Sequence, residues 1–271
     1  MSESNRYLHD QAATLRMLVK RAAGSHAGRR SAPRPWQAVF IGPGDGETAP
    51  RWCLEVATRF SRQGLRTVVI DADLRNPSLH TLCGLPATGG LASWLADDVS
   101  LHEALVRGPE GLLVLTGGEA DAADWLPDDA SLAASLLDLD ALGPYADAIF
   151  AAIGGSATPL SANLVRSARV VAATFEAGDE AILGTYASMK RHAASLVGKM
   201  PTLIADEEDA DARDDAARRV ARSLSEFLKL GSTIVEPPDG DAASRYEAAF
   251  EELFRMAESD RAADADVREV G

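Results

Sequence analysis

Seven short apolar runs, rich in β-branched residues and separated by helical patterns, constrain the fold of this chain more than any other feature. They occupy residues 38–41, 67–71, 112–116, 148–153, 170–175, 202–205 and 233–235. Helical periodicity fills the intervals at 49–63, 101–107, 130–139, 182–196 and 211–228. Strands that are apolar on both faces belong in the middle of a layered structure, not at a wetted surface. The pattern therefore predicts an α/β fold, a mostly parallel sheet of about seven or eight strands with helices on both faces. Ligands of such sheets bind beyond the carboxyl ends of the strands, where the strand order reverses.

The first of those strands runs into Gly42-Pro43-Gly44-Asp45-Gly46-Glu47-Thr48, and a helical pattern follows from Ala49. This is the layout of a phosphate-binding loop. Glycines let backbone N–H groups converge on a phosphate at a helix N-terminus that already favours anions. A lysine then reaches the β- and γ-phosphates, and a Ser or Thr hydroxyl holds magnesium. Gly42, Gly44, Gly46 and Thr48 are the cofactor-binding positions here, but Glu47 stands where the lysine belongs. Asp45 adds a second negative charge and Pro43 removes a donor. A carboxylate about 4 Å from a phosphate charge costs roughly 1 kcal/mol in water and about 4 kcal/mol at an effective dielectric of 20. Glu47 and Asp45 are instead expected to cap the helix themselves, on the N–H groups that phosphates would use. Pro50 suits the first turn of that helix.

The 271 residues carry a net charge of −14, which argues against a general affinity for nucleic acid and allows at most weak membrane association. Residues 1–35 hold seven Lys/Arg against two Asp/Glu, so a basic arm precedes an acidic body. Within the arm, Leu8, Ala12, Leu15, Val19 and Ala22 recur at helical spacing, which predicts a helix within residues 1–23, read either as a partner-binding element or as one that folds back on the acidic body. Residues 24–35, rich in Gly, Ser, Pro and Arg, read as a linker. An α/β body is expected over 36–257, its last helix near 246–256, and a disordered tail over 258–271. Two cysteines, Cys53 and Cys83, cannot build a disulfide framework, and residues 1–6 carry no apolar leader run. A cytoplasmic setting is the expectation.

Beyond the loop, Asp71-Ala72-Asp73-Leu74-Arg75-Asn76-Pro77-Ser78-Leu79, followed by Leu82-Cys83-Gly84-Leu85 and Gly90-Leu91-Ala92-Ser93-Trp94-Leu95, resembles the second nucleotide motif of the MinD/ParA-type P-loop ATPases. The early segment Asp10-Gln11-Ala12-Ala13-Thr14-Leu15-Arg16 is similar to the DQAxxLR motif of the flagellar number regulators FlhG/FleN within that family. The resemblance covers roughly residues 8–240. It implies that Asp71 and Asp73 match the acidic pair that orients water and magnesium, and that Thr48 and Asp71 are metal ligands only if nucleotide binds. Other positions depart from the family. The signature lysine falls at Gly42, the phosphate lysine at Glu47, the Walker B aspartate near Ala152 within Ile149-Phe150-Ala151-Ala152-Ile153, and the adenine-reading asparagine near Ala205 and Asp206.

From the residues alone, Asp71 and Asp73 have two readings: candidate catalytic carboxylates, or caps of the turn over 74–77 that pair with Arg75. The acidic run over 206–215 likewise reads as a solvated loop and helix start or as a surface for a basic partner. The resemblance implies a MinD-like pseudo-ATPase that docks Asp10, Gln11, Ala12, Leu15 and Arg16 on an FlhF-like GTPase and controls flagellar number or placement. No cofactor is expected on that reading, and a monomer or weak homodimer is, because family dimers close around ATP. A second reading is a functional ATPase, or a relative of the bacterial tyrosine kinases of polysaccharide export, with Mg-ATP as cofactor. Asp73-Leu74-Arg75-Asn76-Pro77 resembles those kinases too, although no tyrosine follows Tyr246. A third is an adaptor for another polar or flagellar assembly. Whether the chain is an enzyme stays open at this point.

Overall fold

The computed structural model describes residues 35–44, 46–96, 98–118, 142, 145–235 and 241–269, the last ten as backbone. The chain divides into two units, Met1–Arg34 and Pro35–Gly271. The first unit, with Asp10, Gln11, Ala12, Leu15 and Arg16, lies outside the described residues, as does the helix expected over 130–139.

Strand β1 (Trp36–Ile41) leads to helix α1 (Thr48–Arg62) and β2 (Thr67–Asp71). Short helices α2 (Leu79–Leu82), α3 (Gly90–Leu95) and α4 (Leu101–Ala104) come next, then β3 (Leu105–Arg107) and β4 (Leu113–Leu115). The second half contains β5 (Ala148–Ile153), α5 (Pro159–Ser167), β6 (Val170–Glu176), α6 (Asp179–His192), β7 (Thr202–Asp206) and α7 (Ala210–Ser223). A π-helical turn (Leu224–Leu228), β8 (Thr233–Ile234) and α8 (Ala242–Glu269) complete the order.

The eight strands form one sheet in the order β3-β4-β2-β5-β1-β6-β7-β8. Every pairing is parallel except β3 with β4. Alternation along the strands sends side chains into two separate cores. Val39, Ile41, Val68 and Ile70 face Leu91, Leu164, Ile182, Met189 and Val220 on one side. Ala38, Phe40, Val69 and Phe150 face Trp52, Val56, Phe60, Phe250 and Leu253 on the other. The expected mostly parallel sheet covered on both faces is what the chain builds.

Three local expectations change. The helix expected over 101–107 is only one turn. Ser100 and Glu103 close a capping box at its start, and Leu105, Val106 and Arg107 then pair antiparallel with β4 as an edge strand. Two β-branched or branched apolar residues gain more from a ladder partner than from a second helical turn. Helix α5 had no counterpart in the periodicity, although Thr158 caps it by accepting from the Ser161 N–H and Pro159 opens it. Helix α8 runs to Glu269, so backbone expected as disordered tail from 258 is helical, continuing a helix that the aromatic core has already nucleated. No helix among the described residues is long and apolar enough to cross a membrane.

Candidate functional site

The strand order reverses around β1, which lies between β5 and β6, so the crevice beyond the carboxyl ends of these strands is where a ligand of this sheet would sit. The glycine loop occupies that place. It joins Ile41 to α1, whose first residue, Thr48, is buried at 7% exposure. Asp45 is outside the described residues.

Glu47 does not cap α1. It holds the N-cap position with φ −83° and ψ −1° and makes no side-chain cap hydrogen bond. Side-chain capping normally needs a short Asp, Asn, Ser or Thr in the extended region, from which an oxygen reaches back to the second or third N–H. A longer glutamate in helical geometry is aimed elsewhere. Its side chain is 55% exposed and lies 4.0 Å from the Arg51 guanidinium. The self-capping expectation is therefore corrected for Glu47. The electrostatic argument changes with it, because a carboxylate in water repels a nearby phosphate by only about 1 kcal/mol. Repulsion of an anion by Glu47 is therefore small in this geometry.

The loop is closely packed from above. A Cβ added at Gly184 of α6 would lie 2.5 Å from the Pro43 carbonyl oxygen, and one at Gly155 would lie 3.0 Å from the Gly44 Cα and 2.7 Å from the Ser188 Oγ. Arg191 donates from Nη1 to the Gly155 carbonyl at 2.9 Å. Only glycines allow these three segments to approach so nearly. At Gly42 a Cβ would stand 3.2 Å from the Ala49 Cβ, so the position of the family's signature lysine is tight even before a long side chain is considered.

The acidic pair at the end of β2 divides into two roles. Asp71 is fully buried, and its Oδ2 accepts from the N–H groups of Ser78 and Leu79 at 2.7 and 2.8 Å, holding the start of α2. Its Oδ1 has no partner at hydrogen-bonding distance. Burial, aided by the Asp73 charge, outweighs the Leu79, Ser78 and Asp73 N–H groups and pushes the Asp71 carboxyl up to about 6. Asp73 accepts through Oδ1 from the main-chain N–H groups of Arg75 and Asn76, both at 3.2 Å. It also lies against Gly154, where a Cβ would meet its carboxylate. The capping half of the turn reading is thus what the geometry shows for Asp73. Arg75 is engaged through its main chain, and its side chain is exposed.

Cys53 and Cys83 are free thiols beside this carboxylate. Burial, then the Asp71 charge, raises both, Cys83 to about 11. Such thiols are poor nucleophiles.

The remaining positions singled out by the resemblance hold other side chains. Ala152 pairs in register with Phe40 on one side and Asp71 on the other, and its methyl belongs to the apolar core with Cys53 and Phe40. A carboxylate there would be buried beside that of Asp71, its in-register neighbour. Asp206, at the end of β7, makes a buried ion pair with Arg245 of α8, Nη2 to Oδ1 at 3.2 Å. Neither Arg245 nor its partnership was legible from sequence spacing, since 39 residues separate the pair. The rest of the acidic run is largely satisfied internally. Asp209 caps α7 through the Ala212 N–H, Asp214 approaches Arg218 at 3.9 Å and Asp215 approaches Arg219 at 3.7 Å.

No family model matches the chain. Over 120 residues it is 32% identical to the tyrosine-protein kinase YwqD of Bacillus subtilis, a stretch covering 40% of this chain and 50% of that protein. The chain thus spans about half the length of the curated relative it matches. Among solved structures, the cobyrinic acid a,c-diamide synthase of Mycobacterium smegmatis, with bound ATP analog and magnesium, superposes with a TM-score of 0.64 at 18% identity, over 83% of this chain and 96% of that one. A plasmid partition protein from Borrelia burgdorferi superposes with a TM-score of 0.61 at 15% identity, over 82% and 99% of the two chains. At these identities the likeness shows the fold alone, a mostly parallel α/β sheet shared with these proteins.

Proposed function

We propose that this chain is a MinD-like regulatory scaffold, a pseudo-ATPase that works by binding a partner and not by turning over nucleotide. One observation carries the reading: the lysine position of the phosphate loop is Glu47, turned outward to Arg51. Thr48 alone of the loop's functional side chains is kept, and Ala152 leaves the Walker B position without a carboxylate. A triphosphate placed here would meet backbone donors at a helix end but no cation to neutralise it. The partner reading rests on Asp10, Gln11, Ala12, Leu15 and Arg16, whose similarity to DQAxxLR suits an FlhF-like GTPase and a part in flagellar number or placement in the cytoplasm.

Calorimetric titration of the full chain with Mg-ATP and Mg-ADP should give no saturable heat up to ~1 mM, a ceiling near −4 kcal/mol of binding free energy. The chain should raise the turnover of an FlhF-like GTPase, and Arg16→Ala should remove that effect. Saturable nucleotide binding would overturn the scaffold reading. Failure of the GTPase arm alone would leave the scaffold and remove the flagellar partner.

The similarity to YwqD supports a second reading, a relative of the tyrosine kinases with Mg-ATP as cofactor and Thr48 and Asp71 as its metal ligands. Incubation with radiolabelled Mg-ATP separates the two, because only the kinase reading predicts label on tyrosine.

A further inference from the structure

Strands β6, β7 and β8 run parallel, so the segments that lead into them meet at one end of the sheet. It is the end opposite the glycine loop, which follows the carboxyl end of β1. The segment before β7 displays apolar side chains there. Val197 is 81% exposed and Met200 is 65% exposed. Val197 takes the second position of a tight turn that the Lys199 N–H closes on the Leu196 carbonyl at 2.9 Å. Gly198 takes the third at φ 77°, which glycine adopts without steric cost, and Met200 follows the turn. The turn is held from within. Leu196 and Pro201 on either side are buried, and Lys199 donates from Nζ to the Ala168 carbonyl at 2.5 Å. The Met200 Sδ lies 3.7 Å from where a Cβ on Gly231 would stand, so the chain entering β8 packs alongside. Exposed apolar residues scattered singly are ordinary, but a fixed turn that projects two together is not.

Positive charge gathers at the same end. The whole chain carries −14, yet residues 164–169, 190–201 and 228–232, which lead into these strands, hold six Lys/Arg and no Asp/Glu. Arg191 among them turns inward to the Gly155 carbonyl. Arg166, Arg169, Lys190 and Lys229 are exposed. Burial, then the Arg169 charge, holds the Lys199 ammonium below its ordinary value, which puts Arg169 beside the turn. Lys190 lies in the last turn of α6, just ahead of it. The nearest acid along the chain is Glu226, whose main-chain carbonyl accepts from Lys229 Nζ at 2.9 Å.

An apolar tip flanked by cations, on a protein that is otherwise acidic, fits a surface that is anionic outside and apolar beneath. Nucleic acid supplies only the anionic part, and Val197 and Met200 bring neither aromatic planes for its bases nor donors for their edges. A turn that projects its side chains is also the opposite of the groove that receives a peptide. We infer that the turn over Val197-Gly198-Lys199-Met200, flanked by Arg166, Arg169, Lys190 and Lys229, docks this chain peripherally on a membrane surface of anionic lipid. Val197 and Met200 enter the boundary between headgroups and acyl chains, and the cations meet the headgroups. This surface lies at the other end of the sheet from Glu47, so it stands or falls separately from the scaffold reading.

Co-sedimentation of the full chain with lipid vesicles tests the inference. Vesicles of equal parts phosphatidylglycerol and phosphatidylcholine should bind it at least about tenfold more tightly than phosphatidylcholine alone. Raising salt from about 0.05 to 0.5 M should weaken that binding at least about tenfold by screening. Val197→Asp combined with Met200→Asp should weaken it by a similar factor, and so should Lys190→Glu combined with Lys229→Glu. Leu183→Asp, at an exposed apolar residue away from the turn, should leave it unchanged. All these side chains face water, so the fold should persist, and circular dichroism of each variant checks that it does. A chain that ignores anionic vesicles overturns the inference. So does binding that survives the Val197 and Met200 substitutions, which would assign it to another part of the chain. Capture by polyglutamate without vesicle binding, lost in the same variants, would assign the turn to an acidic protein instead and overturns the lipid reading too.

Discussion

Replacing Phe60 with alanine should lower the unfolding free energy by about 3–5 kcal/mol, the range for truncating a buried aromatic. Phe60 is fully buried on α1 and touches four other rings. Its centroid lies 5.5 Å from Trp36 in a stacked arrangement, and 4.8, 5.5 and 5.3 Å from Phe150, Phe250 and Phe254 in edge-on ones. The ring therefore joins two central strands to the helix behind the glycine loop and to the final helix. Each such aromatic pair adds about 0.5–1.5 kcal/mol beyond simple burial. For a body of this size the loss corresponds to a fall of roughly 10 °C or more in melting temperature. Phe227→Ala provides the contrast, because its ring is mostly in water, and should change stability by no more than about 0.5 kcal/mol. Calorimetric or circular-dichroism melting of the two variants decides the matter. A Phe60→Ala protein within about 1 kcal/mol of the parent would mean that α8 does not depend on this cluster.

The fold was readable because the signals that specify it are local and repeated. The six residues of β5 and the five of β2 fall where unbroken apolar runs predicted them, since a strand buried on both faces leaves a run that no exposed loop would carry. Edges were harder. Leu105, Val106 and Arg107 share a helical periodicity with the turn before them, and only the presence of β4 alongside decides that they pair as a strand. At the candidate site, the sequence showed which residue types were lost but not where the substitutes point. Glu47 was expected at the helix N–H groups on charge alone, whereas chain length and backbone geometry turned it to Arg51. The Asp206–Arg245 pair and the approach of Gly184 to Pro43 join segments far apart in sequence, so no periodicity or spacing could have announced them. Thr158, Pro159 and Ser161 did carry a readable start signal for α5.

Asp71→Asn should remove a pH dependence that the parent chain carries. Asp71 sits without solvent beneath the start of α2, and burial raises its carboxyl from 3.8 to about 6. In the unfolded chain it titrates near 3.8. Below that value both states hold the proton, and the group's contribution is fully present. Between 3.8 and about 6 the unfolded chain releases the proton while the folded chain keeps it, so folding loses stability as pH rises. Above about 6 the loss is complete, amounting to about 3 kcal/mol at 1.36 kcal/mol per pH unit. An asparagine can still accept from the Ser78 and Leu79 N–H groups, and it carries no charge to desolvate. Whatever fixed cost or gain the amide brings, the stability of the variant relative to the parent should therefore grow by about 3 kcal/mol between pH 3.5 and pH 7. Urea unfolding of both proteins at half-unit pH intervals measures this difference directly, since all other titrating groups cancel. A difference that stays flat across the window would show Asp71 ionised at its ordinary value, hydrated or paired in the folded chain. The buried capping role assigned to it at the head of α2 would then be wrong.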